Sequence, residues 1–333
     1  MGTPDRRRMP GPLRLLAAVV AAIAALVGAA VPAADDSPFW VDPESDAARQ
    51  AEQWASEGRA DDARLVRRIA GHPQAAWVAG NNPRPDVARV MAGAGKAGKT
   101  AVLVAYNIPH RDCGQHSAGG APDGGRYLDW VGEFAEEIGD GEAIVVLEPD
   151  AVPHMVDGCT PRDVAGERTT LLSKAVARLK EQPRTKVYLD AGNSGWIRDP
   201  WQLAERLRES GIARSDGFAL NTANFQTSAD LKAYGGKISG FLENKHFIID
   251  TSRNGNGPLV GEWCNPPGRA LGDPPTTKTD DPLVDAYLWI KNPGKSDGSC
   301  GGGPQAGTWW PEYALGLARA AEEKESRTAP GRR

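Results

Sequence analysis

Several stretches of this chain run apolar for four or more positions without polar alternation, and two of them lead into carboxylates. Residues 100–107 read Thr-Ala-Val-Leu-Val-Ala-Tyr-Asn and continue through Ile-Pro-His-Arg to Asp112. Residues 142–148 read Glu-Ala-Ile-Val-Val-Leu-Glu and are followed by Pro149 and Asp150. Unbroken β-branched and apolar runs of this length suit strands covered on both faces, as in a parallel sheet. Strand-like runs also lie near 75–78, 186–190, 217–221, 247–250 and 286–290, which predicts seven strands in all. Between them, 127–138, 162–180 and 201–209 carry helix-former composition. Ahead of them, 46–70 reads as one helix, with Trp54, Leu65 and Ile69 at helical intervals. Alternating strands and helices predict an α/β fold built on a parallel sheet with right-handed crossovers. Periodicity alone leaves open whether that sheet closes into a barrel.

In parallel sheets and barrels, chemistry gathers at the carboxyl ends of the strands. Asp112 and Asp150 are therefore expected to reach one cleft, and two acids are the minimum equipment for hydrolysing a glycosidic bond. Taken singly, each is a helix cap more often than a catalyst.

The N-terminal 34 residues stand apart. Arg6, Arg7, Arg8 and Arg14 form a basic head, residues 15–31 are an apolar run, and small residues precede Asp35. This order reads as a secretory signal peptide, with an uncleaved anchor as the alternative. Residues 35–325 then form a single domain, and 326–333 a disordered tail. Residues 1–34 carry four Arg and one Asp, so their removal takes the net charge from −4 to −7. A mildly acidic exported protein is poorly suited to nucleic acid or anionic membrane, and a neutral polymer fits better. Cys113, Cys159, Cys264 and Cys300 are an even set in an exported chain, which favours two disulfides. Three pairings are possible. Cys113 and Cys159 both lie just past the ends of the two acid-bearing strands, which leaves Cys264 with Cys300. The spacing is wrong for zinc, and no metal or cofactor is expected.

Two segments carry a family resemblance: Tyr106-Asn-Ile-Pro-His-Arg111-Asp112-Cys113 and Glu148-Pro149-Asp150. Further blocks follow in order: Asp190-Ala-Gly-Asn-Ser-Gly-Trp196, Asn221-Thr-Ala-Asn224, Gly261-Glu-Trp263-Cys264-Asn265 and Lys291-Asn-Pro-Gly-Lys-Ser-Asp297-Gly298. Together they resemble glycoside hydrolase family 6, the inverting cellulases, over roughly residues 72–320. The resemblance implies a distorted seven-stranded β/α barrel and hydrolysis of β-1,4-glucosidic bonds. It implies Asp150 as general acid, Asp112 as the neighbour that raises it and relays a proton from water, and Tyr106 at the distorted sugar ring. Asp297 stands where a catalytic base is proposed, Asp190 in the acidic network, and Arg111 where active-site charges are held. Trp77, Trp196 and Trp263 match sugar platforms, and Lys291 a residue that bonds sugar hydroxyls. Asn221 and Asn224 are candidates for substrate contact or for satisfying backbone. Trp54, Trp130 and Trp289 are assigned to the core.

Two positions depart from the pattern: Lys295 stands where a glutamate is expected, and Asn193 where a histidine is. A cation at 295 should stabilise a charged Asp297 or pair with another acid. The segments after Asp112 and after Lys291 are short, which resembles bacterial endoglucanases with an open groove. The expectation is a secreted, monomeric endo-β-1,4-glucanase acting on β-1,4-glucan. A chain-end cellobiohydrolase and a weakly active glucan-binding relative are the alternatives.

Overall fold

The structure, a computed structural model, describes residues 1–2 and 37–328. The expected signal peptide, beyond its first two residues, lies outside the described residues. Among the described residues, helices α1 (Asp46–Ser56) and α2 (Ala60–Ala70) precede strand β1 (Ala76–Val78). Then follow α3 (Arg84–Ala97), β2 (Ala101–Ala105), α4 (Gly124–Ile138), β3 (Ala143–Leu147), the short α5 (Pro153–Val156), α6 (Arg162–Leu179) and β4 (Thr185–Asp190). The chain continues through α7 (Pro200–Glu209), β5 (Gly217–Leu220), α8 (Ser228–Phe241), β6 (His246–Asp250), β7 (Val284–Leu288) and α9 (Pro311–Thr328).

Two sequence expectations need correction. The segment 46–70 is two helices rather than one, because Gly58 turns the chain at φ +79°, in the left-handed region that ends helices. Residues 326–328, assigned to a disordered tail, form the last turn of α9, whose Arg319 and Glu322 pair with Asp62 and Arg64 of α2. Trp54, Trp130 and Trp289 are buried as expected.

All seven strands are parallel and pair in sequence order, β1 to β7. The sheet curls until its edges meet. The Ala75 N–H donates to Trp289 O at 3.0 Å, and the Trp77 indole N–H to Ile290 O at 2.7 Å. Alternate residues of each strand face two different apolar regions. Val102, Val104, Ile144, Val146, Tyr188, Ala219, Ile248, Ala286 and Leu288 fill the inside of the curl. Leu103, Val145, Leu147, Leu189, Phe218 and Ile249 face the surrounding helices. Both faces are dry, so the strands read as continuous apolar runs. Gly217 allows the closest strand approach, since a Cβ there would sit 2.0 Å from His246 O.

The same period of two positions the chemistry. Continuing each inward row by two residues reaches Tyr106 after β2, Glu148 after β3, Asp190 at the end of β4, Asn221 after β5 and Asp250 at the end of β6. Trp77 of β1 lies on the corresponding row at the sheet's other edge.

Candidate active site

A cleft of about 790 Å³ opens at the carboxyl ends of the strands. Of the residues singled out in the sequence, it is lined by Trp77, Tyr106, Arg111, Asp112, Asp150, Trp196, Asn224, Trp263, Lys291 and Asp297. Asp190 and Asn221 are not on its wall: both are buried beneath it. Asn221 serves the backbone. Its amide donates to Asp250 O at 2.8 Å and its carbonyl accepts from Gln226 N at 3.0 Å.

The turns that present the acids are held in uncommon backbone conformations. His110, Asp112 and Cys113 have φ of 57°, 53° and 47°, and Glu148 and Asp150 of 50° and 71°. Such positions carry a cost of order 1–3 kcal/mol each and persist only where surrounding contacts enforce them. The contacts are identifiable. Buried Glu148 accepts the Asn107 and Ile108 amides at 3.0 Å, tying the end of β3 to the end of β2. Asp190 Oδ2 accepts the Asp150 amide at 2.9 Å, tying β3 to β4. Asp112 Oδ2 accepts the Ser117 amide at 2.6 Å. The Cys113–Cys159 disulfide joins the loops after β2 and β3, and Cys264–Cys300 joins those after β6 and β7.

These carboxylates do not share one electrostatic environment. Burial, then the charges of Asp190 and Asp112, push the Asp150 carboxyl well above its usual range, with Lys291 opposing. Burial raises Asp190 to about 6 and Glu148 to about 7, against the amides that bond to each. Asp297 goes the other way. Burial would raise it, but the charges of Arg253 and Lys291 outweigh burial and hold it below the usual range. Arg253 Nη1 donates to Asp297 Oδ2 at 2.9 Å, the Asn265 amide to the same oxygen at 3.0 Å, and Lys291 Nζ lies 3.1 Å from Oδ1. A carboxylate so engaged is a weak base. Lys295, the departure from the expected glutamate, pairs with Asp46 of α1 at 3.2 Å.

Aromatic rings wall the cleft. Trp77 meets Tyr106 edge-on at 5.3 Å, and burial with the nearby Asp150 and Asp112 keeps the Tyr106 hydroxyl protonated. The Arg111 guanidinium lies 4.7 Å from the Tyr106 ring centroid and donates to Tyr106 O at 2.7 Å and Ala79 O at 3.2 Å. It is thus engaged with backbone and ring. Asn193 accepts the Gly195 and Trp196 amides, at 3.0 and 3.1 Å, so it caps the turn that presents Trp196. Asn224 accepts the Phe225 amide at 2.9 Å. Trp263 is half exposed, its ring edge-on to His116.

Sequence reasoning missed His154, Asp157, Asp250 and Arg253. His154 is buried, with Nε2 unpartnered 4.0 Å from Asp112 Oδ1 and Nδ1 3.3 Å from Asp157, whose Oδ2 also accepts the Trp196 indole N–H at 2.9 Å. It packs edge-on against Trp196 at 4.9 Å. The His154 amide donates to Asp150 O at 2.9 Å, across a turn that linear spacing did not mark. Asp250 accepts the Ala223 and Lys291 amides at 3.0 and 2.9 Å, and fixes the start of the Lys291 loop. The inward row of β6 would have found it. Asp112, Asp150 and His154 also offer ligand atoms within 4.8 Å of one another, a set able to hold a cation that linear spacing did not reveal.

A curled parallel sheet that delivers acids from successive strand ends into an indole-walled cleft defines an α/β protein with its chemistry at the carboxyl ends of the strands. The chain belongs to the glycosyl hydrolases family 6, whose family model matches residues 34–321. It is 46% identical over 289 residues to Endoglucanase A of Cellulomonas fimi, covering 86% of this chain but 62% of that protein, so it spans less than two thirds of that relative's length. It is 41% identical over 319 residues to Endoglucanase 1 of Streptomyces halstedii, covering 91% of this chain and 97% of that one. Among solved structures, the endoglucanase Cel6 from Mycobacterium tuberculosis, in complex with methyl-cellobiosyl-4-deoxy-4-thio-β-D-cellobioside, is similar at a TM-score of 0.80. That match has 42% identity and covers 86% of this chain and 98% of that chain.

Proposed function

We propose that this chain is a secreted, monomeric, inverting endo-β-1,4-glucanase that hydrolyses internal bonds of cellulose or a related β-glucan, with Asp150 as general acid. The observation that carries the reading is the Asp150 carboxyl. Burial and two acidic neighbours raise it well above the usual carboxylate range, in a cleft walled by indoles. A glucan offers apolar C–H faces to Trp77, Trp196 and Trp263 and hydroxyls to the polar groups between them. Asp150 then protonates the leaving oxygen while water attacks the far face of the sugar. Asp112, with one oxygen on the Ser117 amide and the other towards the cleft, takes up the proton that the water releases. Asp297, held by Arg253 and Lys291, acts as a fixed negative charge that orients Lys291 towards the substrate. Internal cleavage is supported by the names of the bacterial relatives and by the short segments flanking the cleft.

The test is loss of viscosity together with release of reducing sugar from carboxymethylcellulose, for wild type and Asp150→Ala. A steep viscosity loss that vanishes in the variant is expected. Reducing sugar without early viscosity loss would replace endo by chain-end cleavage. Inactivity of both proteins with retained oligosaccharide binding would replace hydrolysis by binding.

A further inference from the structure

We propose that the cleft continues past Trp77 into an additional glucan subsite, a hollow walled by Trp40 and Trp309; this rests on the glucanase reading above. The hollow measures about 300 Å³ and shares Trp77, Asn292 and Lys295 with the main cleft, so the two are continuous. That volume is at the lower end of ligand pockets, which suits one or two sugar rings.

Both indoles are fixed in place. The Trp40 ring packs so closely on α3 that a Cβ at Gly93 would lie 2.3 Å from it. The Trp309 indole N–H donates to Gln50 Oε1 at 3.2 Å. Each ring keeps part of its surface exposed. Rigid, partly exposed indoles are what a pyranose ring stacks on at little ordering cost.

The charges argue against an anionic ligand. Arg89 pairs with Asp42 at 2.8 Å, Arg49 with Asp46 at 2.6 Å and Lys295 with Asp46 at 3.2 Å. Every cation on this wall already has a carboxylate, so an anion gains little there. Hydroxyl groups can bond to the remaining donors and acceptors of these pairs without stranding a charge. This also accounts for Lys295. Paired with α1, it forms the boundary between cleft and hollow, and it leaves Asp297 to Arg253 and Lys291. The ligand class is therefore the continuation of the same β-1,4-glucan chain that lies on Trp77.

The experiment is kcat/KM on cellotetraose, cellopentaose and cellohexaose for wild type, Trp40→Ala and Arg89→Ala. Arg89 is half exposed, so its variant keeps the test informative where Trp40→Ala fails to fold. Wild type is expected to favour the hexaose over the tetraose by about tenfold, remote binding contributing to turnover. In Trp40→Ala that ratio should fall to about 1, and in Arg89→Ala by about threefold. A wild type active on the tetraose without a length preference, or variants that keep the preference, would overturn the subsite and leave the glucanase reading standing. A wild type inactive on every oligosaccharide would sink the glucanase reading, and the subsite with it.

Discussion

Replacing Asp190 by Asn separates charge from structure beneath the cleft. Asp190 lies buried with Oδ2 on the Asp150 and Gly192 amides, at 2.9 and 3.2 Å, and Oδ1 without a partner. Asparagine keeps an acceptor for both amides and removes the charge. That charge is one reason the Asp150 carboxyl is raised, second to burial. Two unit charges a few ångströms apart interact by roughly 3–4 kcal/mol at an effective dielectric near 20. Because the two carboxyls titrate together, part of this is shared between them. The direction follows from the sign. Without the negative neighbour, Asp150 loses its proton at lower pH, so the alkaline limb of kcat/KM moves to lower pH. On the acid side little should change, because Asp190 itself titrates near 6 and is mostly neutral below that. The assay is initial rate on a soluble cello-oligosaccharide between pH 4 and 9, with the thermal midpoint measured on the same samples. A uniform loss of rate with the alkaline limb unmoved, or moved upward, would refute the electrostatic argument.

Other outcomes follow from the same geometry. Glu148 is raised from 4.5 to about 7, chiefly by burial, so its protonated form favours the fold. Stability should therefore fall as pH rises from about 4.5 to 7, by up to about 3 kcal/mol, and urea midpoints at pH 5 and pH 8 should differ less in Glu148→Gln. Arg253→Met leaves the buried Asp297 with Lys291 and the Asn265 amide, and breaking the Arg253 pair should cost about 3–5 kcal/mol in urea denaturation. Serine at both Cys113 and Cys159 opens a 46-residue crosslink, which should remove about 4 kcal/mol and appear as a lowered thermal midpoint without reductant.

How much of the site was readable follows from which residues act locally. Asp112 and Asp150 were found because each ends a recognisable apolar strand. Cys113 and Cys159 were paired because both follow the acid-bearing strands, and Cys264 with Cys300 because they remained. Asp250 ends a strand in the same way, yet no motif drew attention to it. Asn221 had two readings, substrate contact or satisfying backbone, and its side chain is engaged with Asp250 O and Gln226 N. A block marks where a residue stands in the chain, and says nothing of which atoms its side chain meets.

The sequence by itself determined the seven strands, the parallel α/β class, the family and the end of the sheet where chemistry gathers. These depend on periodicity and on local order along the chain, which a linear reading preserves. Only the tertiary structure decided the charge state of each acid. Asp150 and Asp297 are the same residue type at the same end of the sheet, yet Asp150 is raised beside Asp190 and Asp112 while Asp297 is lowered between Arg253 and Lys291. The partner of Lys295 was likewise unreadable, since Asp46 lies on a helix from the opposite end of the chain. Burial and charge act through space over a few ångströms, and residues far apart in sequence reach that range only when the sheet curls.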